Sequence, residues 1–210
     1  MSGRLLLVGA HPDDIEFGAG GTAARFISEG MQPKVIVFSN CSQSLRENSD
    51  PNQLIAECKL AMNELGISEN CLSFYDVPVR NFPEHRQEIL QTLIDEARSW
   101  QPDLVLYPNS DDIHQDHSTV GREIERALKH STLWSYELPW NLLKSDSQGF
   151  VELSREYVDQ KISAISKYVS QSERFYAQED RVIAQMISHG AQIEVEYAER
   201  FSIPRSVRYL

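Results

Sequence analysis

In the first part of the chain, short apolar runs alternate with longer segments in which apolar residues recur at helical spacing. The apolar runs predict strands at 4–9, 34–38, 71–75 and 103–107. The segments that follow them predict helices at about 16–30, 52–65, 84–100 and 116–130. Such alternation is typical of a parallel sheet with helices on both faces. We therefore predict an α/β protein with a Rossmann-like three-layer fold and a mainly parallel sheet.

Glycine and proline residues support these boundaries. Gly30 and Gly66 stand where the first two helices should end, and Pro33 and Pro102 stand just before two of the strands. Glycine is favoured just past a helix end, and proline is favoured where a helix cannot continue.

The pattern changes after residue 131. Further strands are predicted at 133–138, near 149–153 and at 193–197, with helices at about 155–170 and 173–188. We see no repeat or flexible linker between the two halves. We therefore expect one domain over residues 1–210, in which residues 131–210 form a C-terminal extension that walls the functional site.

Two clusters of ionisable residues directly follow two of the predicted strands. The first is Ala10-His11-Pro12-Asp13-Asp14, and the second is Asp111-Asp112-Ile113-His114-Gln115-Asp116-His117. Ligands of such sheets bind beyond the carboxyl ends of the strands. Adjacent carboxylates repel each other and stay ionised only beside a positive charge. The two clusters therefore indicate one shared site that holds a cation.

The residue types of these clusters suit a catalytic metal. Two imidazoles and one carboxylate, with a fourth position left to water, commonly hold catalytic zinc, and His11, Asp14 and His117 supply that set. Iron, manganese and cobalt accept the same donors. The alternative is that Asp13 or Asp14 caps a helix and that His114 is solvated at a polar helix start. The presence of both clusters at one sheet edge favours the metal site.

The two clusters also resemble the motifs of a known family. Ala10 to Asp14 with Glu16, the glycine-rich segment 17–22 that follows, and the distant His114-Gln115-Asp116-His117 look like the LmbE/PIG-L family of zinc-dependent de-N-acetylases. The resemblance covers roughly residues 4–130. It implies hydrolysis of the N-acetyl amide of an amino sugar or glycoconjugate, which releases acetate and a free amine.

The resemblance also implies roles for individual residues. His11, Asp14 and His117 would bind Zn²⁺, and Asp13 would be the general base. His114 would stabilise the developing oxyanion or protonate the leaving amine, and Asp116 or Asp112 would hold His114 as an imidazolium.

Three residues are candidates for substrate binding. Arg46 lies in a polar loop at 39–52, and Arg80 follows the third predicted strand. Trp140, just beyond Pro139, could stack on the apolar face of a sugar ring. Both arginines could equally be solvated surface residues. Leu54 stands where family members often have a sugar-binding arginine.

Composition limits the partners. The chain carries 31 acidic and 20 basic residues, a net charge of −11, which disfavours nucleic acid and anionic membranes because both repel it. No apolar stretch approaches the roughly 20 residues of a membrane span. The three cysteines lack Cys-x-x-Cys spacing, and the N-terminus lacks a secretory pattern. We expect a cytoplasmic protein that binds a small N-acetylated sugar, with homo-oligomerisation left open.

Three other functions remain open at this point. The chain could hydrolyse a non-sugar N-acyl metabolite. It could also be a metal-dependent carbohydrate-binding domain without catalysis, although Asp13 would then have no role. A nucleotide-binding protein that uses the glycines at 18–21 is disfavoured, because the first strand-to-helix turn carries the histidine cluster instead.

Overall fold

The computed structural model describes residues 3–44 and 50–207. Its strands form one sheet with the order β3-β2-β1-β4-β5-β7-β6. The first five strands in that order are parallel, and β7 is antiparallel to both β5 and β6. The strands are β1 (Gly3–Gly9), β2 (Met31–Val37), β3 (Leu72–Phe74), β4 (Leu104–Pro108), β5 (Thr132–Tyr136), β6 (Gly149–Glu152) and β7 (Ala198–Arg205).

Helices cover both faces of this sheet. One hydrophobic core lies between one face and α1, α2, α5 and α6, and a second lies between the other face and α3 and α4. The helices are α1 (Asp14–Ser28), α2 (Gln53–Glu64), α3 (Phe82–Ser99), α4 (Gln115–Ala127), α5 (Arg155–Ser166) and α6 (Glu179–Ala191). Successive residues of β1 alternate between the two cores, which explains its unbroken apolar run. The predicted three-layer α/β fold is confirmed.

The site follows from the position of β1 in the sheet. β1 pairs with β2 on one side and with β4 on the other, so the chain proceeds outward from β1 in two directions. A crevice forms at such a reversal, beyond the carboxyl ends of the two strands. The two polar clusters follow β1 and β4, which places both at this crevice.

Two predictions for the C-terminal half are wrong. The segment 193–197 is a turn, and the strand begins instead at Ala198. The turn folds back on α6, since the Ile193 and Val195 amides both donate to the Gly190 carbonyl. The second helix begins at Glu179 and not at 173, because two short 3₁₀ turns, Val169–Gln171 and Phe175–Ala177, precede it. Both halves of the chain contribute strands to one sheet.

Gly30 and Gly66 confirm the predicted helix ends. Both adopt positive φ angles, 98° and 80°. Glycine takes this left-handed conformation without steric cost, so it can reverse the chain after a helix. Among the helices that the structure describes, none is both long enough and apolar enough to cross a lipid bilayer.

A buried ion pair joins the two halves of the chain at a break in α1. Ala19 has non-helical angles (φ −146°, ψ 16°), so the carbonyls before it and the amides after it lose helical partners. Lys161 Nζ donates to the Phe17 carbonyl at 2.7 Å and to Glu199 Oε1 at 2.7 Å. The Glu199 carboxylate also accepts the Gly21 and Thr22 amides at 3.0 and 2.7 Å. Lys161 and Glu199 thus replace the backbone bonds that the break removes.

We expect the Gly18→Ala variant to lose about 1–3 kcal/mol of unfolding free energy. A Cβ at Gly18 would overlap the Tyr136 ring. That ring is buried, and its hydroxyl donates to the Val8 carbonyl at 2.8 Å, so it cannot move aside freely. Urea unfolding would measure the loss. Gly20→Ala is the matched control, because a Cβ there would lie 3.3 Å from Lys161 Cγ, its nearest neighbour, and would overlap no ring. Equal stability of the two variants would contradict the prediction.

Candidate active site

A cavity of about 550 Å³ lies beyond the carboxyl ends of β1 and β4. Side chains of both polar clusters line it, together with residues of the loop after β3 and of the C-terminal half. The lining includes His11, Asp13, Asp14, Arg80, His114, His117, Trp140, Gln171, Arg174 and Tyr176. Residues that are more than a hundred positions apart therefore share one site, as their strand-end positions predict.

The three predicted metal donors converge within this cavity. His11 Nδ1 lies 2.9 Å from His117 Nε2, and His117 Nε2 lies 3.2 Å from Asp14 Oδ1. His11 Nδ1 lies 3.6 Å from Asp14 Oδ2. Zinc bonds of about 2.0–2.1 Å place tetrahedral donor atoms about 3.3 Å apart. The donor chemistry and spacing of these residues therefore fit a divalent ion.

His114 offers a second way to complete a donor set. Ligand atoms of His11, His114 and His117 all lie within 4.8 Å of one another. The His114 and His117 rings are stacked, with their centroids 4.6 Å apart. The two sets share His11 and His117 and differ in whether Asp14 or His114 is the third donor.

Each of the shared histidines is oriented by a buried carboxylate. His11 Nε2 lies 3.0 Å from Asp116 Oδ2, and His117 Nδ1 lies 2.8 Å from Asp112 Oδ2. An N–H donated to these carboxylates leaves the other ring nitrogen unprotonated and directed at the common point, which favours metal binding. The sequence suggested Asp112 and Asp116 only as partners of His114, so their contacts with His11 and His117 are new.

The expectation that Asp116 or Asp112 holds His114 as an imidazolium is wrong. Asp116 Oδ2 is 4.0 Å from His114 Nδ1. That nitrogen instead accepts the Asp116 backbone amide at 3.2 Å, so His114 caps α4. Burial and the neighbouring histidines lower the pKa of His114. A neutral ring with Nδ1 as acceptor carries its proton on Nε2, which remains a hydrogen-bond donor.

Asp13 lines the cavity without acting as a helix cap. It occupies the N-cap position of α1, but its side chain makes no capping hydrogen bond. Burial, and then the charge of Asp14, raise its pKa to about 6. A carboxyl with a pKa near neutrality is suited to proton transfer at physiological pH. These features oppose the capping interpretation of Asp13. Asp14, the other residue considered as a cap, accepts a hydrogen bond from the His11 backbone amide at 2.8 Å.

Glu16 lies behind the first cluster in a pocket closed by the C-terminal half. Its Oε1 lies 2.6 Å from the Tyr168 hydroxyl, which also contacts the Pro12 carbonyl. Burial raises the pKa of Glu16 well above its usual range. A protonated Glu16 can donate a hydrogen bond to the Tyr168 hydroxyl, which in turn donates to the Pro12 carbonyl. Tyr168 was missed because the sequence pattern places it in the predicted helix at 155–170, whereas it lies just beyond α5 and is distinguished only by its long-range contacts.

The structure places two of the three predicted substrate residues at the cavity. Arg80 has a left-handed backbone (φ 70°) and donates its amide to Asp116 Oδ2 at 2.7 Å. Trp140 is 38% exposed and stacks on Tyr176, with ring centroids 4.1 Å apart. Arg46 lies outside the described residues.

Sequence reasoning missed three lining residues before α6: Gln171 and Tyr176, which lie on the two 3₁₀ turns, and Arg174, which lies between these turns. The sequence pattern predicts helices over most of this segment, and that prediction assigns these residues no cavity-facing role.

We expect zinc affinity to fall steeply as the pH is lowered from 8 to 6. Burial alone would lower the pKa values of His11 and His117, but Asp14 and the partner carboxylates overcome it and raise them to about 9 and about 10. The 2.9 Å contact between His11 Nδ1 and His117 Nε2 needs one donor and one acceptor, so in the metal-free protein one of these two nitrogens carries a proton that a metal must displace at neutral pH. One displaced proton gives a loss of about 10-fold per pH unit. Chelator competition at several pH values would test this, and a constant affinity would contradict it.

Comparison with known proteins agrees with this geometry. Residues 6–128 match the protein family described as PIG-L: GlcNAc-PI de-N-acetylase. The uncharacterized deacetylase YaiS of Escherichia coli (strain K12) is 29% identical over 175 residues, which cover 79% of this chain and 90% of YaiS.

Solved structures with the same fold include proteins of more than one activity. The conserved protein TT1542 from Thermus thermophilus superimposes with a TM-score of 0.81 at 25% identity, over 98% of this chain and 96% of its own. Teicoplanin deacetylase Orf2 superimposes with a TM-score of 0.80 at 16% identity, over 98% of this chain and 100% of its own. The 4-carboxy-2-hydroxymuconate hydratase GalB from Pseudomonas putida KT2440 superimposes with a TM-score of 0.79 at 21% identity, over 99% of both chains. The fold alone therefore does not fix the reaction.

Proposed function

Since the chain belongs to the PIG-L (GlcNAc-PI de-N-acetylase) family, we propose that it is a zinc-dependent deacetylase that hydrolyses the N-acetyl amide of an amino sugar or its conjugate. The products are acetate and a free amine. The observation that carries this proposal is the convergence of His11, Asp14 and His117 beside Asp13. A binding domain without catalysis would need the three donors but not the adjacent carboxyl.

Each residue of the cavity has a role in the proposed reaction. His11, Asp14 and His117 would hold the ion, which supplies a Lewis acid that polarises a carbonyl and lowers the pKa of water when bound. Asp13 takes a proton from the attacking water and delivers it to the amine as the amide C–N bond breaks. His114, as a neutral Nε2–H donor, stabilises the negative charge that develops on the amide oxygen.

The C-terminal half supplies the wall on which a sugar would bind. Trp140 and Tyr176 stack nearly parallel (14°), and Phe17 packs edge-on against both with centroid distances of 5.4 Å. Aromatic faces of this kind bind the apolar face of a sugar ring. This wall supports an amino sugar over a non-sugar N-acyl metabolite.

The free thiols Cys41, Cys58 and Cys71 are consistent with the reducing cytoplasm, where we place the protein.

The test combines elemental analysis of the purified protein with an acetate-release assay on N-acetylated sugars and acyl amino compounds. We expect about one zinc per chain and acetate release from sugars. Turnover of only the non-sugar amides would exclude the sugar substrate, and hydration of an unsaturated acid without acetate release would place the chain with GalB. Ligand binding without any release would indicate the non-catalytic alternative.

A further inference from the structure

The Tyr168 hydroxyl reaches the loop that joins β1 to α1, directly before the residue that we assign as the base. Tyr168 lies just beyond α5 and is 2% exposed. Its hydroxyl contacts the Pro12 carbonyl and lies 2.6 Å from Glu16 Oε1. A carbonyl oxygen can only accept a hydrogen bond, so the hydroxyl directs its proton at Pro12. A side chain from outside the residues that match the family therefore holds the backbone next to Asp13.

The peptide between Pro12 and Asp13 has little other support. Among the described residues, no other group donates a hydrogen bond to the Pro12 carbonyl. Proline has no amide proton, so Pro12 cannot donate one either. The neighbouring backbone bonds are long: the Asp14 amide lies 3.5 Å from the His11 carbonyl, and the Phe17 amide lies 3.3 Å from the Asp13 carbonyl. Tyr168 is thus the side chain that fixes the plane of this peptide.

The direction of the Asp13 carboxylate depends on that peptide. The carboxylate lines the cavity, and its side chain makes no capping hydrogen bond to α1. The metal donors differ in this respect, because Asp116 orients His11 and Asp112 orients His117. Asp13 is therefore placed through its backbone, whereas the two histidines are placed through their side-chain partners.

Tyr168 itself is carried on firm support. Its ring packs in the core between the sheet and the helices of one face, and its amide donates to the Ile165 carbonyl at 3.1 Å. Two residues further on, Glu57 of α2 accepts the Ser170 amide at 3.0 Å and the Ser170 hydroxyl at 2.5 Å. Catalytic groups act best when packed neighbours hold them within about 0.5 Å of the productive geometry. A hydroxyl fixed in this way can provide such a hold.

We propose that Tyr168 is a positioning residue for Asp13, which acts through the Pro12 carbonyl and is itself kept in place by Glu16. Tyr168 is not among the described residues that line the cavity, so it contacts neither substrate nor metal. The proposal rests on the deacetylase function above, in which Asp13 is the base. It gives the C-terminal half a part in the chemistry in addition to its part in the cavity wall.

The first test is the Tyr168→Phe variant, which keeps the ring and removes the hydroxyl. A shift of about 1 Å in a catalytic group can cost about 100-fold in rate, so kcat of the zinc-loaded variant should fall by about 10- to 100-fold. KM should change by less than about 3-fold, because the cavity wall is unaltered. Zinc affinity, measured by chelator competition, should remain at the wild-type value. Tyr157→Phe is the matched control, since Tyr157 lies on α5 and its hydroxyl lies 2.7 Å from Ser28 Oγ, at the other end of α1.

A double variant shows through which residue Tyr168 acts. In the Asp13→Asn background, removal of the Tyr168 hydroxyl should reduce kcat by less than about 3-fold, because the base that it positions is already absent. An equal factor in both backgrounds would indicate a general structural defect and would overturn the proposal. Wild-type kcat in Tyr168→Phe, an equal loss in Tyr157→Phe, or a loss of zinc affinity in Tyr168→Phe would also overturn it.

Glu16→Gln tests the support of the hydroxyl and covers the case in which Tyr168→Phe does not fold. An amide N–H can donate to the Tyr168 oxygen as a protonated carboxyl does, so kcat should fall by less than about 3-fold. A loss as large as that of Asp13→Asn would show that Glu16 acts in its own right and would overturn the proposed arrangement.

Crystal structures of the wild-type protein and of Tyr168→Phe give a readout that does not depend on activity. We expect the Asp13 carboxylate of the variant to be displaced by about 0.5 Å or more while the metal donors stay in place. An undisplaced carboxylate would overturn the positioning role, whatever reaction the protein catalyses. The absence of acetate release from the wild-type protein, with the carboxylate displaced in the variant, would overturn the deacetylase function alone.

Discussion

Replacing Asp13 by asparagine is expected to slow deacetylation by about 10²- to 10⁴-fold while zinc remains bound. Asparagine has the shape of aspartate but cannot accept a proton from water at neutral pH. The metal should stay because the converging donors belong to His11, Asp14 and His117. The measurement is kcat with the best substrate, together with zinc content by elemental analysis.

His117→Ala is the contrasting variant. It removes a nitrogen that lies 2.9 Å from His11 Nδ1 and 3.2 Å from Asp14 Oδ1, so it should lose the metal and the activity together. Asp13→Asn should lose activity alone. Wild-type turnover in Asp13→Asn would show that another group is the base. Loss of zinc in that variant would show instead that Asp13 contributes to the metal site.

Much of the architecture and the location of the site followed from local sequence patterns. The apolar run of β1 and the helical spacing after it required only neighbouring residues, and strand-end position brought His11 and His117 together across 106 positions. The sheet topology explains this success, because the carboxyl ends of parallel strands meet at one edge.

Details that depend on distant partners could not be predicted in this way. Asp116 lies two residues from His114, so the sequence suggested that pair, but its carboxylate is directed at His11, 105 positions away. Likewise, the alternation of apolar and acidic residues at 193–197 looked like a strand, although Ile193 is 37% exposed and only Tyr197 is buried. Only the hydrogen bonds to Gly190 identify this segment as a turn.

Lys161 illustrates the same limit and leads to the second large prediction. Nothing local explains a lysine that is 1% exposed in α5, and its two partners lie 144 and 38 positions away. Lys161→Met keeps much of the side-chain volume but leaves the Glu199 carboxylate, itself 2% exposed, without its cation. It also leaves the Phe17 carbonyl at the break in α1 without its donor.

We expect Lys161→Met to lose about 3–5 kcal/mol of unfolding free energy, because removal of Lys161 leaves the buried Glu199 carboxylate without a compensating charge. Urea unfolding would measure this loss. Arg155→Met is the matched control on the same helix. Its exposed pair with Asp159 should contribute little, since solvent screens it. Adding Glu199→Gln to Lys161→Met should recover part of the loss, because the amide oxygen can still accept a backbone amide without an uncompensated charge. If Lys161→Met were no less stable than Arg155→Met, the ion pair would not be what holds the broken helix to the C-terminal half.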